Sequence, residues 1–94
     1  MKSFRDLIVW QKSVNMVTDV CKLLNGSPND EKFGLTSQIK RSSMSISSNI
    51  AEGYGRNYTK DYIRFLEIAS GSLYEMQTQL QIAINLKFIN TEDL

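Results

Sequence analysis

The sequence predicts an all-α fold, a bundle of antiparallel helices with three of them in this chain and only the start of a fourth. Two observations carry this reading. Apolar residues recur at steps of three and four along three separate stretches, and those stretches are divided by Gly, Asn, Pro and Thr signals that stop and start helices. Length adds a third. A chain of 94 residues is expected to form one helical-bundle domain over 1–94, and at that size it buries only about 60–65% of the surface its unfolded form exposes. A lone bundle of this kind is marginal, and self-association is one remedy.

The first helix is expected over about residues 6–25, where Leu7, Trp10, Val14, Val17, Cys21 and Leu24 make a packing seam. Asn25-Gly26 reads as a left-handed C-terminal stop with Pro28 just beyond, leaving residues 25–32 as the connection. The second helix, about 33–52, carries Leu35, Ile39, Ile46 and Ile50 on one face, with Ser42 or Ser43 filling the gap. Because the apolar period continues through the serines between Ser42 and Ser48, they read as small packing residues rather than as a disordered or phosphorylated tract. The third helix, about 59–88, starts with Thr59 as cap and Asp61 in the first turn. Its seam is Tyr62, Leu66, Ala69, Leu73, Met76, Leu80 and Ala83. Thr91, Glu92 and Asp93 then look like the start of a fourth helix near 91. Three helices with one side open leave an apolar groove for a partner or another copy of the chain.

Folding the second and third helices back on each other sets Ile50 against Tyr62, Ile46 against Leu66, Ser43 against Ala69 and Ile39 against Leu73. Close approach is then expected where Ser42 and Ser43 face Ala69 and Gly71. A turn near residues 29–30 likewise sets Val17 against Ser43 and Val14 against Ile46.

Composition excludes most chemistry. There is no histidine to activate a serine or bind zinc, Cys21 lies on a core seam, and no catalytic, metal or cofactor motif is present, so no enzyme and no cofactor are expected. One cysteine, charged residues in the N-terminal stretch and no membrane-length apolar run read as a cytoplasmic chain without a membrane role. Gly53-Tyr54-Gly55-Arg56 lacks the third glycine of a dinucleotide fingerprint and the Gly-Lys-Ser/Thr ending of a phosphate loop. It reads as a structural turn: Gly53 ends the second helix in a left-handed conformation, Gly55 relieves the turn, and Arg56 pairs with Glu52 or covers helix carbonyls.

Arg56, Lys60 and Arg64, with Tyr58 beside them, are candidates for a phosphate-contacting and base-stacking patch, and Lys40 with Arg41 for a second one. An ordinary solvated face is the competing reading and the weightier one on residues alone. Glu67 continues the face, and the formal net charge is only +1.

At the run of residues 4–12, FRDLIVWQK, at Phe33-Gly34-Leu35-Thr36-Ser37-Gln38-Ile39, at Ser48-Asn49-Ile50-Ala51-Glu52-Gly53-Tyr54-Gly55-Arg56, and over residues 65–75, the chain closely resembles a bacterial four-helix bundle family. That family includes the 23S ribosomal RNA intervening-sequence proteins. Ser47 stands where it usually carries proline. The resemblance implies an antiparallel up-and-down four-helix bundle and, in at least some branches, assembly into ring-like pentamers. In one branch it also implies service as a nucleic-acid-binding accessory to the reverse transcriptase of diversity-generating retroelements. The expectation is therefore a non-enzymatic, self-assembling helical-bundle protein that acts as an RNA-binding or ribonucleoprotein adaptor, with RNA or DNA and a reverse transcriptase as partners. A structural protein–protein interaction module with no nucleic-acid role is the alternative.

Overall fold

The computed structural model describes residues 3–25, 34–89 and 92. A short 3-10 helix, Phe4–Asp6, precedes three α-helices: α1 (Ile8–Asn25), α2 (Leu35–Tyr54) and α3 (Thr59–Asn85). Among the described residues there is no β-strand. At about 1.5 Å per residue α3 spans about 40 Å, and it sets the long axis of a body measuring 44 × 20 × 20 Å. Helix α2 is the centre: it packs extensively on α3 and less so on α1, while the 3-10 helix touches both α1 and α2. The core joins Leu24 of α1, Ile39, Ile46 and Ile50 of α2, Ala69, Met76 and Ala83 of α3, and Ile89 beyond it.

On α2 and α3 the buried positions follow the predicted seams. For α1 the predicted seam holds at Val17 and Leu24, which are buried, and at Leu7 and Trp10, which pack on the core, but the packed face is wider than predicted. Ser13 is buried and Met16, Val20 and Leu23 pack on the core, whereas Val14 and Cys21 are only half-buried at the margin. A serine can occupy that face because its hydroxyl donates to the Trp10 carbonyl at 2.7 Å and meets the Ser47 hydroxyl at 2.9 Å. Burial of a polar group then carries no unpaired atom. The same contact fixes α1 against α2 in the predicted register. Ser47 supplies the bridging hydroxyl within an unbroken α2.

Between α2 and α3 the register differs from the prediction. Ser45 meets Ser72 at 2.9 Å and Ser42 donates to Gln79 Oε1 at 2.8 Å, so each α2 residue faces a position farther along α3 than predicted. The cause lies at the turn. Helix α2 continues through Gly53 to Tyr54 instead of stopping at 52, and no described glycine has a positive φ. Gly53 therefore ends nothing in a left-handed conformation. A Cβ at Gly53 would stand 2.8 Å from Phe65 Cβ and 3.1 Å from Tyr62 Cδ1; the missing side chain is what lets α3 cross so closely. Gly55 is the helix C-cap in ordinary right-handed geometry, with φ −78°. Gly71 is not a close-packing residue: it is exposed, and nothing lies within 4 Å of a Cβ built on it. Ser42, Ser43 and Ala69 are buried as expected.

The ends of α3 also depart from expectation. Its N-cap is Tyr58, which offers no side-chain cap bond, and Thr59 is the first helical residue rather than the cap. Asp61 does lie in the first turn. At the other end α3 stops at Asn85 rather than 88. Phe88 N–H donates to the Ala83 carbonyl at 2.9 Å and Lys87 N–H to Ile84 at 3.0 Å, the paired bonds of a Schellman stop. Lys87 takes the left-handed position at φ 63°, and the reversal brings Ile89 into the core. The expected stop at Gly26 and the fourth-helix signal at Thr91 and Asp93 lie outside the described residues.

Candidate nucleic-acid interface

The five candidate cations do not form one surface. Lys40 and Arg41 are neighbours in sequence but leave α2 on different sides, one toward α1 and the other toward α3. Lys40 Nζ donates to Asn25 Oδ1 of α1 at 2.8 Å, while Arg41 lines a polar cleft toward α3 with Gln38, Ser42, Ser45, Ser72 and Glu75. Twelve residues on, at about 1.5 Å each, Gly53 lies about 18 Å from Arg41 along α2. Arg56, Lys60 and Arg64 gather beyond that point.

Those three cations belong to the turn and the first two turns of α3, and all are exposed. Arg56 neither pairs with Glu52 nor covers α2 carbonyls with its side chain. Backbone N–H groups do the capping, Gly55 to the Glu52 carbonyl and Arg56 to the Gly53 carbonyl, each at 3.1 Å. The Arg56 guanidinium instead lies 4.6 Å above the Phe65 ring, a cation–π contact worth about 0.5–1 kcal/mol at an exposed site. Phe65 is the neighbour of Arg64, so the stacked guanidinium is carried to the turn of α3 that presents Arg64. Lys60 and Arg64, four residues apart, share one helix face.

The same end of the bundle holds a second arginine on a phenylalanine. Arg5 lies 4.6 Å over the Phe4 ring, and Phe4 meets Trp10 edge-on at 5.1 Å. The antiparallel pairing of Ser13 with Ser47 brings the start of α1 toward the end of α2, and the 3-10 helix rests on both. Tyr54 and Tyr62 add an edge-on pair at 6.4 Å. Neither Phe65 nor Phe4 is identifiable from the sequence pattern as a seat for an arginine. Nothing in their spacing from Arg56 and Arg5 shares a common period, so only the fold joins the first of these pairs.

On another side, α1 and α3 flank α2 without closing on each other. This leaves a mainly apolar groove of about 450 Å³, lined by Val9, Met16, Ile46, Ile50, Leu66 and Leu73 among others. Among the described residues no cluster of three or more His, Cys, Asp or Glu is placed to hold a metal ion. None of the described helices is long and apolar enough to cross a membrane.

The model of a family described as 23S rRNA-intervening sequence protein matches residues 5–94. Among solved structures, the chain is similar to the crystal structure of a protein of unknown function from the S23 ribosomal protein family of Bacteroides thetaiotaomicron. The two share 30% sequence identity with a TM-score of 0.82, over 92% of this chain and 81% of that one. No curated protein matches the chain.

Proposed function

The chain belongs to the 23S rRNA-intervening sequence protein family, and we propose that it works there as a non-enzymatic, self-associating adaptor that contacts RNA through Arg56, Lys60 and Arg64. The observation that carries the reading is the gathering of these three exposed cations at one end of the bundle, with Arg56 held in place by Phe65. A guanidinium already laid on a ring gives up less side-chain freedom when it meets a phosphate. Lys40 and Arg41 make a lesser contribution in this reading, because Lys40 is already engaged by Asn25. With a formal net charge of +1, attraction is local and moderate rather than a field of the whole chain.

The test is RNA affinity of the wild type and of the R56A/K60A/R64A variant across a salt series. Removing phosphate contacts lowers the slope of log affinity against log salt by about 0.7–0.9 per cation, so the variant should bind more weakly and with a slope shallower by about 2–3 units. Unchanged affinity and slope would sink the assignment.

The open groove favours a second reading, a structural module that binds protein alone. In the adaptor reading the groove is covered by another copy of the chain, and light scattering should return a defined oligomer. The ring-like pentamer and the reverse transcriptase partner rest on the family resemblance alone. A defined oligomer indifferent to RNA would leave the interaction module, and a monomer would remove self-association. A cytoplasmic location and a single domain over 1–94 complete the proposal.

A further inference from the structure

We propose that the nucleic acid taken at the α2–α3 end is an unpaired strand, with Tyr58 as the platform for one base; this rests on the RNA reading above and goes a step beyond it. Tyr58 is 67% exposed. It caps α3 by position only: its backbone carbonyl accepts from Asp61 and Tyr62 N–H, while its side chain makes no cap bond. A Ser, Thr, Asp or Asn serves a helix N-cap better, so an aromatic ring here adds nothing to the helix. Nor does it add to packing. The other aromatic side chains of this end are placed against one another or under a cation, Phe4 with Trp10, Tyr54 with Tyr62 and Phe65 beneath Arg56, and Tyr58 belongs to none of these contacts.

An exposed ring flanked in sequence by Arg56 and Lys60 suits a strand whose bases are free to stack and whose backbone runs past cations. A duplex offers the cations the same phosphates, yet its bases are already stacked and paired, so the ring gains nothing from it. The two halves of the site therefore predict different selectivity. Arg56, Lys60 and Arg64 attract either form of RNA, whereas Tyr58 distinguishes them. Glu67, exposed on the next turn after Arg64, bounds the cationic stretch and keeps the attraction short.

The experiment is fluorescence anisotropy with a labelled unstructured oligoribonucleotide and with the same sequence annealed into a full duplex. Wild type should prefer the unpaired strand. Tyr58→Ala should lose about tenfold in affinity for it, the order of one stacked base, and should bind the duplex as before. Tyr58→Trp should restore the preference. Circular dichroism of each variant checks that helix content is kept, as expected for a side chain without a cap bond. If Tyr58→Ala leaves strand affinity intact, or lowers strand and duplex affinity equally, the platform is overturned. The R56A/K60A/R64A variant separates the two claims. Should it lose salt-dependent binding while Tyr58→Ala loses none, the RNA reading stands and the unpaired-strand inference falls; should wild type bind neither form, both fall.

Discussion

Helix α2 presents Gly53, Ser45 and Ser42 to α3, but Ser47 and Lys40 to α1. The α2–α3 contact is set by what is missing: with no Cβ at Gly53, the ring-bearing residues Tyr62 and Phe65 close onto the backbone, and the register of the whole hairpin follows. The α1–α2 contact is set by what is added, one hydroxyl pair and one lysine-to-asparagine bond. A steric stop next to a short connection tolerates almost no adjustment. A pair of hydrogen bonds, each with a net worth of about 0.5–1.5 kcal/mol, tolerates a good deal. The candidate RNA-binding residues Arg56, Lys60 and Arg64 sit on the stiffer of the two contacts, and the apolar groove opens beside the looser one.

The largest expected effect is at the stiff contact. Gly53→Ala places a methyl group 2.8 Å from Phe65 Cβ. Overpacking of this kind costs about 1–3 kcal/mol, more than the roughly 0.5–1 kcal/mol that alanine gains over glycine inside a helix. Urea unfolding should show a net loss of about 1–2 kcal/mol. RNA affinity should fall as well, since Phe65 must shift beneath Arg56. Equal or higher stability would mean that the two helices are free to move apart.

Gly71→Ala sharpens the point with the opposite sign. The same substitution on the partner helix meets open space and should stabilise by about 0.5–1 kcal/mol through helix propensity alone, read as a rise in the thermal midpoint. Lys87→Gly should act in the same direction and by a similar amount, because a left-handed residue after a helix favours glycine.

The smallest effect is expected at the α1–α2 bridge. A double-mutant cycle on Ser13→Ala and Ser47→Ala should return a coupling of about 0.5–1 kcal/mol, since each single variant leaves the other hydroxyl, buried at Ser13 and half-buried at Ser47, short of one partner. Zero coupling would show that the hydroxyl pair does not help to hold α1.

Much of this fold was legible in the residues. The three-four spacing gave three helices, the all-α class and nearly all the core positions on α2 and α3, because burial on one face of a helix imposes its own period. It placed α1 less well, since Ser13 is polar and lies off the apolar period. A hydroxyl satisfied by a partner on another helix leaves no trace in a local pattern. The candidate cations were identifiable by type and by their i, i+4 spacing. Their division between the two sides of α2 and the far end of the bundle was not, for it depends on how the faces of α2 turn toward α1 and α3.

By itself, then, the sequence determined what local periodicity can encode: helix number and approximate extent, the apolar seams, the near-neutral charge and the run of motifs that marks the family. Tertiary structure decided the register of α2 on α3, the role of Gly53, the exposure of Gly71, the seat of Arg56 on the Phe65 ring, and the reversal at Lys87 that returns Ile89 to the core. The physical reason is common to all five. Each is settled by steric and electrostatic contact between groups that the chain brings together only on folding, or by a backbone conformation that packing imposes on a residue which would not choose it.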